Sequence, residues 1–145
     1  MKVMITTIAF LVAWTANSWG QVVVVVAHKS VPMDTIKKSV LLDFYAYDIK
    51  KWSDGQPIIV FDLKPQSEVK TAFYNYLGKS SSRMKSVWLK KLLSGEGDPP
   101  EAMNSEEELS KKVAATAGAI GFVSKANVRK DVKILLEITE EKKPE

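Results

Sequence analysis

The chain has 145 residues, 46% of them hydrophobic and 26% charged, with a formal net charge of +4, which suits one domain around a single core. The absence of cysteine excludes disulfides, thiolate zinc sites, thiol catalysis and lipid attachment through an N-terminal cysteine. A lone histidine, His28, and no carboxylate pair with acid/base spacing leave metal or enzymatic chemistry without a foundation, and no cofactor is expected. Lysines and arginines are mixed with acids along the chain and no aromatic residues interleave with them, which argues against nucleic acid.

The first residues place one cation, Lys2, before an apolar run from Val3 to Ala16, followed by Asn17-Ser18-Trp19-Gly20. That order is the order of a secretory signal cut before Gln21. A retained anchor is the alternative, because no charge occurs between Val3 and Ala27. The expected organisation is thus a signal over 1–20, a domain over 21–139 and a charged tail over 140–145, with the protein exported to the periplasm.

Val22 to Ala27 is a β-branched run too short for a helix and apolar on both faces, which predicts a strand buried on both sides. Behind Asp34, a candidate N-cap, Ile36, Val40 and Phe44 recur every four residues and predict a helix ending near Tyr45 to Tyr47. Trp52 to Pro57 contains Asp54-Gly55 and reads as a turn, and Ile58 to Phe61 as a second strand. A helix from Ser67 to Leu77 would bury Val69, Ala72, Phe73 and Tyr76, with Gly78 at its stop. Another begins at Ser80 to Ser82 and carries Met84, Val87, Trp88 and Leu92. Gly95 to Pro100 reads as a loop. Ser105 and Glu108 have the spacing of a capping box, opening a helix to about Thr116. Ala119 to Val123 and Val132 to Ile138 read as further strands. Strands alternating with helices imply an α/β sheet covered on both faces.

The order of Trp52-Ser53-Asp54-Gly55-Gln56-Pro57-Ile58, Ser67, Leu77-Gly78, Trp88, Gly95 to Pro100 and Gly118 to Val123 resembles that of the phosphate ABC transporter substrate-binding proteins, from Val22 to about Ile138. Typical members are two-lobed clamps that close on phosphate and deliver it to a membrane permease, and this chain is about half that length. The resemblance implies a single lobe like one domain of a type II periplasmic binding protein, with a mostly parallel sheet and helices on both faces. It further implies a binding protein and no enzyme, which takes phosphate or another oxyanion at a helix N-terminus. Lys64 then stands near the family's arginine and Ser67 at the serine of its Ser-Gly-Thr, whereas Glu68-Val69 replaces Gly-Thr, bringing a negative charge and removing a hydroxyl.

The expected oxyanion ligands are Lys64, Ser67 and Lys70, with Ser30 joining them if the carboxyl end of the first strand lies on the ligand side. Ser67 has a second reading as a plain N-cap, and the lysines as solvated charges. Gly118 and Gly121 are expected to stop a helix and permit close packing, and Trp52 and Trp88 to belong to the core. Tyr45 and Tyr47 are considered as an exposed aromatic patch. With one lobe the anion is not enclosed, so affinity should be weak unless two chains pair as a homodimer and rebuild a cleft. The alternative is an adaptor that kept the fold, lost the ligand, and works by contact with a membrane permease or sensor.

Overall fold

The computed structural model describes residues 22–139; the expected signal over 1–20 and the tail over 140–145 lie outside the described residues. Five strands form one sheet: β1 (Val23–Ala27), β2 (Ile59–Leu63), β3 (Glu101–Met103), β4 (Ala119–Ser124) and β5 (Lys133–Ile138), in the order β3-β2-β4-β1-β5. β2 pairs parallel with β3 and β4, whereas β1 pairs antiparallel with both β4 and β5. Four strands therefore point one way and β1 alone runs against them. Every residue of β1 is buried, as a valine run needs when both sheet faces are covered.

Four helices supply the cover: α1 (Lys38–Tyr45), α2 (Glu68–Leu77), α3 (Ser81–Leu93) and α4 (Glu106–Ala115). On one face Phe122 of β4 stacks on Phe73 of α2, with ring centroids 4.0 Å apart and planes 7° from parallel. Tyr45 of α1 meets Phe73 edge-on at 4.9 Å. Such aromatic pairs add about 0.5–1.5 kcal/mol beyond the area they bury. On the other face Gly121 lies under α4: a Cβ there would come within 2.6 Å of Leu109 Cδ2 and 3.3 Å of Val113 Cγ2. The alternation of large and absent side chains along β4 thus sets how closely each helix layer approaches.

Local sequence signals fix most helix ends. Ser67, Ser80 and Ser105 are extended N-caps whose hydroxyls accept from the amides of Lys70, Arg83 and Glu108. Glu108 also reaches back, accepting from the Asn104 amide at 3.2 Å, so the cap is reciprocal but one residue further out than the expected box. Gly78 ends α2 in the left-handed region at φ 78°, where glycine carries no Cβ penalty.

Several expectations are corrected. Asp34 does not cap α1, which starts four residues later behind Lys37; it accepts from Lys133 Nζ at 3.4 Å instead. Ile36 precedes the helix and is a buried core residue, its amide bonding to Leu135 O of β5 at 3.3 Å. The three-residue β3 lies outside the expected strands, since Glu101-Ala102-Met103 follows two prolines and carries no β-branched residue. Tyr45 contributes to no exposed patch: it is fully buried and its hydroxyl donates to Phe61 O at 2.9 Å. Trp52 and Trp88 are core residues, their indole N–H groups donating to Gly118 O at 2.9 Å and Tyr45 O at 2.7 Å.

Candidate functional site

Strand direction decides which residues can share a site. At the carboxyl edge of the co-directional strands the chain leaves β2 through Lys64-Pro65-Gln66 and enters α2 at Ser67. It leaves β3 through Asn104 and enters α4 at Ser105. The two helix starts face a common cleft of about 220 Å³, lined by Leu63, Pro65, Ser67, Ser105 and Glu106. Each start carries amides with no intrahelical partner and the positive end of the helix dipole, so the edge is polarised to favour an anion.

The side chains in this cleft are already engaged. Ser67 Oγ accepts from Lys70 N at 3.2 Å and Ser105 Oγ from Glu108 N at 3.1 Å, so both serines act as caps. Their hydroxyl hydrogens remain available to donate outward. Lys64 is exposed, its backbone amide held by Met103 O at 2.9 Å. Glu106 leans across to β4, where it accepts from the Ser124 amide at 2.5 Å. Its carboxylate and that of exposed Glu68 oppose the charge a bound anion would bring.

Lys70 and Ser30 stand apart from this group. Lys70 is only 3% exposed, its Nζ donates to Leu63 O at 2.5 Å, and it lies 3.6 Å from Asp62 Oδ2. It neutralises a buried carboxylate from inside. Burial pushes Asp62 above its ordinary value of 3.8, against the opposing pull of Lys70 and the Leu63 amide. The Tyr74 hydroxyl, also within the field of Asp62, is buried without a hydrogen-bond partner. Ser30 follows β1, and because β1 runs antiparallel to β4, its carboxyl end lies beside the start of β4. There Ser30 Oγ is 2.8 Å from His28 Nδ1, donates to Gln56 Oε1 at 3.2 Å and accepts from Gly118 N at 3.2 Å. It braces two loops at the opposite edge of the sheet from Ser67.

The geometry therefore brings Ser67 together with Ser105 and Glu106, places Lys64 with Lys70 in the lining of a neighbouring cleft, and separates Ser30 from both. Ser105 was recognisable as a cap; that its cap faces Ser67 depends on β3 joining β2. Among the described residues no group of three or more His, Asp or Glu side chains could hold a metal ion, and no helix is long and apolar enough to cross a membrane.

No family model matches the sequence, and no curated protein matches it. Solved structures do match. An ABC-type phosphate transport receptor from Vibrio cholerae is 20% identical, with a TM-score of 0.62 over 79% of this chain and 46% of that one. A putative phosphate ABC transporter substrate-binding protein with bound phosphate, from Clostridium perfringens, is 17% identical, with a TM-score of 0.65 over 79% of this chain and 45% of that one. A possible phosphate binding protein from Planctomyces limnophilus is 16% identical, with a TM-score of 0.58 over 81% of this chain and 42% of that one. The likeness establishes the fold. The chain spans about half the length of the substrate-binding proteins it resembles.

Proposed function

We propose that this chain is a single-lobe, solute-binding-like protein of the periplasm that takes phosphate or another oxyanion weakly, in the service of an ABC-type uptake system. The observation that carries the reading is the convergence of two serine-capped helix starts, Ser67 and Ser105, on one cleft. Amides, hydroxyls and helix dipoles there offer what an oxyanion needs without any catalytic group. Lys64 supplies the mobile charge. The solved structures described as phosphate receptors support the reading through their shared fold, and export rests on Lys2 and the apolar run behind it.

Glu106 and Glu68 favour a second reading, an adaptor without ligand that acts by contact with a membrane permease or sensor, since two carboxylates at the helix starts repel an oxyanion. A thermal melt separates the two. Phosphate at about ten times a millimolar Kd should stabilise the folded chain by about 1.4 kcal/mol, whereas chloride at equal ionic strength should not. Ser67→Ala with Lys64→Ala should remove the difference. A melting temperature that ignores phosphate in the native sequence favours the adaptor.

A further inference from the structure

A second cleft, of about 480 Å³, lies away from the Ser67–Ser105 edge, between α3 and the edge formed by β2 and β3. Its walls combine two features, and of the residues that make them only Lys64 also serves the oxyanion reading. One is apolar: Trp88, Leu89 and Leu92 from α3 face Pro99 and Pro100. Leu89 and Leu92 remain 54% and 44% exposed, so an occupant would remove apolar surface from water. The other is basic. The titratable lining is Lys64, Lys70 and Lys85 against Asp62 alone. Lys70 is spent on Asp62, while Lys64 and Lys85 have no ion-pair partner among the described residues. No acidic residue occurs anywhere in α3 to offset them.

The walls are also held in place before anything binds. Trp88 is fixed by its indole N–H donating to Tyr45 O at 2.7 Å, and two successive prolines restrict the backbone of the facing wall. Preformed concave sites of 300–1,000 Å³ with a few convergent charges are the usual form of small-molecule pockets. A bare inorganic anion would gain nothing from the leucines, and a cation would be repelled by the lysines. A flat membrane would engage Leu93, among the described residues the most exposed large apolar side chain at 79%, yet Leu93 does not line the cleft.

We propose that the cleft between α3 and β3 binds a small organic anion with an apolar body, its charged head drawn to Lys64 and Lys85 and its body packed on Trp88, Leu89 and Leu92. This site is distinct from the cleft at Ser67, with which it shares Leu63 in its lining; Lys64, the cation of the oxyanion reading, also lines it, whereas Lys85 and the apolar wall serve this site alone.

The test is an NMR titration of the full-length protein with decanoate below its micelle concentration, run beside inorganic phosphate. Decanoate should saturably shift the Trp88 indole N–H and the amides of Lys85, Leu89 and Ala102. The double variant Lys85→Glu/Leu89→Asp, both exposed positions, should retain the native spectrum elsewhere and bind decanoate at least about tenfold more weakly, a loss of about 1.4 kcal/mol. Ser67→Ala should bind it as the native sequence does. A decanoate response without any phosphate response sinks the oxyanion reading and leaves this site standing. Equal affinity in the double variant and the native chain, or shifts confined to residues 64–70, overturns the proposal. So does retention on phosphatidylglycerol vesicles, abolished by Leu93→Asp, with no saturable response to decanoate.

Discussion

Lys70 lies in the first turn of α2, where helical spacing alone allows it to face either solvent or the sheet. It faces inward because Asp62 on β2 is buried and unmatched by any other cation within 4 Å among the described residues. Removing one partner of a buried pair leaves an uncompensated charge, so Lys70→Met should cost about 3–5 kcal/mol at neutral pH, measured by urea denaturation. The double variant with Asp62→Asn should recover part of the loss. The sign of the pH dependence follows from Asp62. Its folded pKa is raised above 3.8, so its contribution to stability is complete below the unfolded value and is lost as pH rises through the folded one. Without Lys70 the folded pKa rises further. Lys70→Met should therefore regain stability as pH falls from neutrality toward the ordinary carboxylate range, more steeply than the native chain. Asp62→Asn should abolish that slope, and a denaturation midpoint for Lys70→Met that stays constant over this range would contradict the pairing.

Caps were legible from sequence because they are local. Ser67, Ser80 and Ser105 each sit next to the amides they satisfy, and Gly78 needs only its own φ. Ser67→Ala should accordingly lower thermal stability by about 1 kcal/mol, whether or not any ligand binds. The burial of Lys70 was not legible, because it depends on a carboxylate eight positions earlier in a different element.

At the level of elements, β1, β2, β4 and β5 could be read from short β-branched runs between turn residues, and α2 to α4 from their caps and apolar period. β3 could not, since three residues with ordinary propensities become a strand only when β2 offers a parallel edge. Direction was equally hidden. The valines of β1 satisfy a parallel or an antiparallel neighbour alike, and the antiparallel choice sends Ser30 to the far edge. Close packing on β4 has a sharper signature. Gly121→Val would push into Leu109 and Val113 of α4, and overpacking of this kind should cost about 1–3 kcal/mol. Gly118→Ala faces a different obstacle, a φ of 75° and the Pro57 carbonyl in the path of its Cβ. A melting temperature for Gly121→Val equal to that of the native chain would show that α4 can move aside without loss.

For the whole molecule, the decisive fact is that the fold corresponds to less than half of each phosphate-binding structure it resembles. On the proposed reading, this lobe by itself would leave one side of the anion in water, where charge interactions are screened and each hydrogen bond adds little net free energy. A millimolar Kd, about 4 kcal/mol, is the affinity such an open site should have. Glu106 should hold it down further, so Glu106→Gln should tighten phosphate binding severalfold, its amide oxygen still able to accept from the Ser124 amide as Glu106 does. The central claim, that the anion sits where α2 and α4 begin, is tested most directly by following backbone amide shifts during a phosphate titration at low salt. The account predicts saturable shifts at Lys64 and at residues 67–69 and 105–107, with a millimolar midpoint, lost in Ser67→Ala/Lys64→Ala. No shift at those amides with tens of millimolar phosphate would contradict it.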